Sequence, residues 1–211
     1  MSRIIDLSYD ITEQLQVFPN DPEVRILRHH NYENGYFVSQ ITLGTHTGTH
    51  IDVSVHCDRK GKTVDDVPID MFINKAFVMD LTYLKPLEEI NPVHLNSFAE
   101  KVDNVRAIII KTGWGSHFGK EDFFVSFPGI GEEAVSWLFD KGIDLIGLES
   151  PSVNAKKHQK IHMLLFERGI GIVESLANVE KISSEYVQLY AVPLKLKGLD
   201  GSPVRAFALE V

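Results

Sequence analysis

A segment spanning residues 44–57 constrains the fold more than any other part of this chain, because it is crowded with metal-chelating side chains. Its sequence is GTHTGTHIDVSVHC, which holds three of the nine histidines and one aspartate. The chelating positions all have even numbers: His46, His50, Asp52 and His56. Successive side chains of an extended chain point to opposite faces, so these four would share one face of a strand.

This segment cannot stay straight if its chelating side chains are to meet. A strand rises about 3.3 Å per residue, which would spread His46 and His56 over roughly 33 Å. Gly48 lies between the first two histidines, and glycine accepts the unusual dihedrals that a sharp bend needs. We therefore expect the chain to bend at Gly48 around a bound ion. The alternative is a His-rich turn that binds nothing.

Nitrogen and oxygen ligands must hold any such ion, because Cys57 is the only cysteine. Neither an intrachain disulfide nor a thiolate zinc cluster can form from this chain alone. Imidazole and carboxylate suit zinc, manganese or another borderline divalent ion, and this donor set favours an open catalytic site. A thiol mechanism is disfavoured, since Cys57 and His56 are adjacent and would point to opposite faces of a strand.

The bulk properties predict one globular domain of 211 residues, with 44% hydrophobic and 24% charged residues. The net charge of −8 argues against a nucleic-acid partner. The apolar runs are too short to span a membrane, and residues 1–6 do not resemble a secretory signal, so we expect a cytoplasmic protein.

Predicted strands outnumber predicted helices, which favours a mixed α/β domain over a helix bundle or a β-sandwich. Strands are predicted over residues 4–9, 23–29, 36–42, 76–81, 105–111, 143–148 and 170–174. Helices are predicted over residues 92–102, 131–141 and 160–168, the last two ending at Gly142 and Gly169. Residues 190–196 and 204–211 are predicted to form a terminal hairpin around the turn 199–203.

The chelating segment resembles that of the cyclase-like metal hydrolases, a family that includes bacterial kynurenine formamidase. The family signature is H-x-G-T-H-x-D-x-P-x-H, and this chain has HTGTHIDVSVH, with Ser54 at the proline position. Residues 5–8, 18–22, 112–114 and 147–153 are also similar, although Glu149 stands where the family usually has Asp. The resemblance covers most of the chain and implies one cyclase-like domain over residues 1–211, of the swivelling β/β/α type.

The resemblance also implies a centre with two divalent ions, zinc as the first expectation and manganese as the second. His162 precedes Met-Leu-Leu and Glu174 ends a predicted strand, and both match ligand positions of the family. His46, His50 and Asp52 would bind one ion; Asp52, His162 and Glu174 would bind the other. His56 would be the general acid or base, with a further ligand or a partner of a ligand as the alternative.

Hydrolysis of an amide or formamide bond by metal-activated water is the activity that the resemblance implies. The first expectation is an arylformamidase that converts N-formylkynurenine to kynurenine and formate. The alternatives are a cyclic-amide hydrolase or cyclase of the same family, or a metal-binding protein without turnover. Phe18, Phe37 and Trp114 are candidates for an aromatic wall around this small-molecule substrate. The resemblance further implies a homodimer or homotetramer.

Overall fold

A mixed sheet of nine strands forms the frame of the protein, whose computed structural model describes residues 2–210. Two smaller sheets lie beside it. In chain order the strands of all three sheets are β1 (Arg3–Asp6), β2 (Arg25–His30), β3 (Val38–Thr42), β4 (His50–Asp52), β5 (Ile73–Asp80), β6 (Glu89–Ile90), β7 (Ala107–Lys111), β8 (Gly129–Ile130), β9 (Leu145–Leu148), β10 (Gly171–Glu174), β11 (Tyr186–Tyr190), β12 (Gly201–Pro203) and β13 (Phe207–Glu210). The smaller sheets are β2-β3 and β6-β8. The helices are α1 (Pro92–Leu95), α2 (Glu132–Asp140) and α3 (His158–Glu167). These elements confirm the predicted mixed α/β fold class.

The order of strands in the main sheet is β1-β13-β11-β5-β7-β9-β10-β4-β12. Its middle strands, β5, β7, β9 and β10, run parallel to one another. Strand β4 lies antiparallel to β10 and to β12, so that Glu174 pairs with His50 and Gly201 pairs with Asp52. This edge of the sheet therefore collects residues that are far apart in sequence.

Both faces of the sheet are covered, which explains the continuous apolar run of β7. Its side chains alternate, so Ile108 and Ile110 pack on the face that carries α2 and α3, while Ile109 packs on the opposite face. All three are at most 2% exposed. Strands with this burial on both sides hold β4 and the edge strand β12 against a rigid core.

Most predicted elements are present, with ends shifted by a few residues. The predicted helix ends at Gly142 and Gly169 are confirmed by the left-handed φ angles of these glycines, +70° and +75°. The predicted helix 92–102 is wrong in length, because α1 stops at Leu95 and a 3₁₀ turn follows at Asn96–Phe98. Asn96 and Ser97 are residues whose side chains compete for backbone hydrogen bonds and so favour helix ends.

The predicted terminal hairpin needs a correction. Strands β11 and β13 are antiparallel neighbours, but the chain between them leaves to form β12 beside β4 instead of turning tightly. The last residue of the predicted strand, Val211, lies outside the described residues, as does Met1. Across residues 2–210 the longest apolar helices fall short of what a membrane crossing requires.

Candidate metal centre

The bend predicted at Gly48 is present, since this glycine has a left-handed φ of +64°. His46 precedes the bend, and β4 follows it with His50 and Asp52 on one face and Ile51 on the other, in the core. Helix α3 supplies His162, and the end of β10 supplies Glu174. The structure therefore brings together all five residues that the family resemblance implied as ligands.

Asp52 lies at the centre of this cluster, and its carboxylate contacts three imidazoles. Asp52 Oδ1 is 2.7 Å from His46 Nδ1 and 3.2 Å from His50 Nε2. Asp52 Oδ2 is 3.3 Å from His162 Nε2. With 1% of its surface exposed, Asp52 is the buried point on which the cluster converges.

Glu174 closes the cluster from the side of β10. Its Oε2 is 3.5 Å from His50 Nε2, and its Oε1 is 3.3 Å from His162 Nε2. Like Asp52, it is almost fully buried. Two carboxylates thus share one buried site with three imidazoles, and an arrangement of this kind needs a bound cation or protons to balance its charge.

The backbone fixes which ring nitrogen of two histidines faces the cluster. His50 Nδ1 donates a hydrogen bond to the carbonyl of Gly48, and His162 Nδ1 donates one to the carbonyl of His158, both at 2.8 Å. In a neutral ring the Nε2 atom is then unprotonated, and its lone pair faces the carboxylate oxygens. Within residues 2–210, His162 Nε2 and Glu174 Oε1 are buried without a hydrogen-bond partner. Lone pairs that converge in this way fit a divalent cation.

Without a metal, protons must supply the missing positive charge. Burial is the largest single effect and lowers the pKa of both His46 and His50, but the neighbouring carboxylates together outweigh it. Asp52 and Asp200 raise the pKa of His46 to about 9, and Asp52 and Glu174 raise the pKa of His50 to about 10. Asp52 and Glu174 likewise raise the pKa of His162, against the effect of burial.

Metal-free protein should therefore lose stability as the pH rises. A histidine in the unfolded chain has a pKa of about 6.5. The stabilisation that protonated His46 and His50 provide is therefore fully present below that pH and is lost as the pH rises through 9 to 10. We expect the Tm of chelator-treated protein to fall between pH 7 and pH 10, and that of metal-loaded protein to fall less. Thermal denaturation of both forms across this range is the measurement; a rising Tm of the metal-free form would contradict the expectation.

Among residues 2–210, two groups of three residues are close enough to hold an ion each. They are His46, Asp52 and His56, and His50, Asp52 and Glu174. Asp52 belongs to both, as the resemblance implied for a bridging ligand. The grouping of the remaining residues differs from the one implied by the resemblance, because His56 joins His46, and Glu174 joins His50.

His56 lies at the mouth of the site rather than in its floor. It ends the 3₁₀ turn Ser54–His56, and its side chain is 33% exposed. Its ring centroid is 4.2 Å from that of His46 and 5.6 Å from that of His162. A histidine in this position contacts both the cluster and the solvent, as a group that moves a proton must.

Asp200 is part of this site, although nothing in the sequence interpretation singled it out. Its Oδ2 is 2.8 Å from His46 Nε2 and 3.4 Å from His56 Nδ1. In the sequence it stands in Leu199-Asp200-Gly201-Ser202-Pro203, which indicates only a turn. A contact across 154 positions has no local signal.

An aromatic cleft of about 240 Å³ leads to the cluster. The phenylalanines that line it are Phe18, Phe118, Phe123 and Phe124. The Phe18 and Phe124 rings meet edge to face, with centroids 5.5 Å apart. The sequence does not predict that the segment 118–124, which provides three of these rings, forms part of the wall.

Two of the three predicted wall residues lie elsewhere. Trp114 is buried behind the wall, where its Nε1 donates to the carbonyl of Phe123 at 2.9 Å. Phe37 lies on the exposed β2–β3 hairpin, with the Arg28 guanidinium 5.0 Å from its ring centroid. Neither lines the cleft formed by residues 2–210, since a large aromatic ring packs as well against core or hairpin neighbours as against a ligand.

The two departures from the family pattern have local partners. Ser54 Oγ accepts a hydrogen bond from Lys62 N at 2.7 Å. The buried Glu149 carboxylate accepts hydrogen bonds from the backbone of Thr112 at 2.5 Å and of Gly113 at 2.6 Å. Both side chains therefore stabilise loops around the site and make no hydrogen bond to the five candidate metal ligands.

Comparisons with known proteins cover between most and nearly all of the chain. A family model described as "Putative cyclase" matches residues 5–155. The chain is 34% identical to kynurenine formamidase from Bacillus cereus, covering 97% of this chain and 96% of the relative, and 31% identical to kynurenine formamidase from Salinibacter ruber, covering 96% and 95%.

Solved structures share the fold. Isatin hydrolase A from Labrenzia aggregata superposes with a TM-score of 0.88 at 23% identity, covering 99% of this chain and 93% of that one. A structure described as "Potential Metal-Dependent Hydrolase With Cyclase Activity" superposes with a TM-score of 0.81 at 25% identity, covering 100% and 99%.

Proposed function

This chain belongs to the cyclase family and is a metal-dependent hydrolase of carbon–nitrogen bonds, and we propose that it is an arylformamidase that converts N-formylkynurenine to kynurenine and formate. The observation that carries this proposal is the buried cluster of three imidazoles and two carboxylates at the end of an aromatic cleft. The cluster supplies the ligands for hydrolysis, and the cleft suits a planar aryl group.

We propose zinc as the metal, with manganese second, and two ions that share Asp52. When bound, a divalent ion supplies a Lewis acid that lowers the pKa of water from about 15.7 toward 7 and polarises a carbonyl. The protein contributes the geometry: the carbonyls of Gly48 and His158 hold His50 and His162 with Nε2 toward the carboxylates. Held in this way, the rings need no rearrangement to bind the ion.

The proton transfer falls to His56 in this proposal. Cleavage of a formamide takes a proton from the attacking water and delivers one to the departing nitrogen. His56 is at the cleft mouth, beside the cluster and open to solvent, so one imidazole can do both. An aryl amine also leaves more readily than an alkyl amine. Breakage of the carbon–nitrogen bond is therefore easier in an aryl formamide than in an alkyl formamide.

A hydrolysis panel tests the proposal directly. Metal content should be measured on the purified protein, followed by rates for N-formylkynurenine, a simple formanilide and a cyclic aryl amide. The arylformamidase assignment predicts the highest kcat/KM for N-formylkynurenine. A higher kcat/KM for the cyclic amide would identify the protein as a cyclic-amide hydrolase instead. A metal-loaded protein that hydrolyses none of the three would indicate a metal-binding protein without turnover.

Phe18→Ala should raise KM for an aryl formamide by about tenfold and change kcat little, because the ring lines the cleft that would hold the aryl group and offers neither a metal ligand nor a proton. Phe18 is one face of the cleft and is itself packed against Phe124. Steady-state kinetics measure the effect. The matched control is Phe139→Ala on the exposed side of α2, where KM should not change. An unchanged KM in the Phe18 variant would remove this ring from substrate binding.

We also propose that the protein assembles as a homodimer or homotetramer. The β2–β3 hairpin forms a separate two-stranded sheet and exposes apolar side chains: Leu27, Phe37, Val38 and Ile41. Exposed apolar surface of this kind favours contact with another protein surface, here a second copy of the chain. Light scattering after size exclusion measures the mass, and a monomer at micromolar concentration would refute the assembly.

A further inference from the structure

We propose that Asp200 is a positioning residue of the metal centre, whose carboxylate holds the ligand His46 with Nδ1 toward Asp52 and holds His56 at the cleft mouth. The inference rests on the proposed function only in treating the cluster as a metal centre and His56 as the group that moves protons. It assigns a role to a residue at the far end of the sequence from the chelating segment.

His46 differs from the buried histidines His50 and His162 in how its ring is held. His50 and His162 each donate Nδ1–H to a backbone carbonyl and present Nε2 to the cluster. His46 lies between two carboxylates, with Nδ1 2.7 Å from Asp52 Oδ1 and Nε2 2.8 Å from Asp200 Oδ2. A ligating imidazole usually donates its other N–H to a carboxylate or carbonyl, which fixes the ring. Asp200 takes the place of the backbone carbonyl, so His46 should ligate through Nδ1.

One oxygen of Asp200 faces two imidazoles. Asp200 Oδ2 is 3.4 Å from His56 Nδ1 as well as 2.8 Å from His46 Nε2. A hydrogen bond from His56 Nδ1–H to this carboxylate would leave Nε2 as the ring nitrogen free to carry a proton. The same carboxylate therefore aligns a metal ligand and the proton-carrying histidine.

The position of Asp200 is itself fixed by the fold. Thr45 Oγ1 donates to Asp200 Oδ1 at 3.1 Å, and the backbone N–H of Val53 donates to the Asp200 carbonyl at 3.2 Å. The next residue, Gly201, pairs with Asp52, and a Cβ there would lie 2.9 Å from His46 Cε1. The chain thus passes close behind the His46 ring and places the carboxylate against it.

Zinc affinity, kinetics and ring tautomers together test the role. We expect Asp200→Ala to weaken zinc affinity in chelator competition by about 10- to 100-fold and to lower kcat more than it changes KM. Asp200→Asn keeps an oxygen that can accept from His46 Nε2–H, so it should lose less affinity than the alanine variant. In ¹⁵N NMR of zinc-loaded protein, His46 should show a protonated Nε2 and a coordinated Nδ1, and that pattern should be lost in Asp200→Ala.

Asp65→Asn is the matched control. Asp65 Oδ1 accepts the backbone N–H of Gly198 at 2.8 Å and so anchors the same turn without contacting a histidine. Wild-type zinc affinity in the control and weakened affinity in the Asp200 variants would support the role; equal loss in both would reduce Asp200 to a turn residue.

Unchanged affinity and kcat in Asp200→Ala, or coordination of His46 through Nε2, would overturn the proposal. If the alanine variant does not fold, Asp200→Asn and the wild-type tautomer measurement still decide. Failure of the arylformamidase assignment would leave zinc affinity and the NMR pattern as they are, so the two failures are distinguishable.

Discussion

Asp52→Asn is expected to release the metal and to lower kcat/KM by at least about 1,000-fold, equivalent to about 4 kcal/mol of transition-state stabilisation. The Asp52 carboxylate contacts His46, His50 and His162 and belongs to both candidate ligand groups. An amide carries no charge and has one oxygen instead of two, so it cannot bridge two ions. Elemental analysis and hydrolysis rates on the same preparation measure the effect.

Asp144→Asn is the control for this substitution, because Asp144 pairs with Arg106 at the surface, away from the cluster. It should keep wild-type metal content and rate. An Asp52→Asn protein that keeps its metal and more than about a tenth of its activity would refute the central position assigned to this carboxylate.

His56→Ala is expected to keep most of the metal and to lose turnover by roughly 100- to 10,000-fold, the range typical of a lost general acid or base. The reason is its place at the mouth of the site, with a third of its side chain exposed, while His46, His50, Asp52, His162 and Glu174 stay intact. Metal content and kcat of the purified variant are the measurements. The exposed His29 provides the control substitution, His29→Ala, which should change neither.

The opposite outcome for His56 has a definite meaning. Its nitrogen is close enough to His46 and Asp52 for all three to hold one ion. Loss of one metal equivalent in His56→Ala would make it a ligand, whereas wild-type turnover with full metal would remove its role in proton transfer.

The chelating segment could be predicted from the sequence because its information is local. The even spacing predicts a shared face, which β4 provides for His50 and Asp52, and Gly48 turns the chain so that His46 also reaches them. The apolar run of β7 and the glycine ends of α2 and α3 are local in the same way. His162 and Glu174 came from family resemblance, since a lone histidine and a lone glutamate carry no signal of their own.

Asp200 and the aromatic wall could not be predicted, because both depend on tertiary contacts. Asp200 reaches His46 only because β12 pairs with β4. Aromatic residues fill cores and clefts alike, so the sequence could not distinguish Trp114, behind the wall, from Phe124, within it.

The place of β4 between β10 and β12 has a consequence for biosynthesis. The N-terminal half of the chain carries His46, His50 and Asp52, yet both strands that border them lie beyond residue 170. A growing polypeptide on the ribosome therefore exposes these chelating groups long before their neighbours have been translated. We expect the nascent chain to bind its ions only once β10 and β12 have left the ribosome and paired with β4.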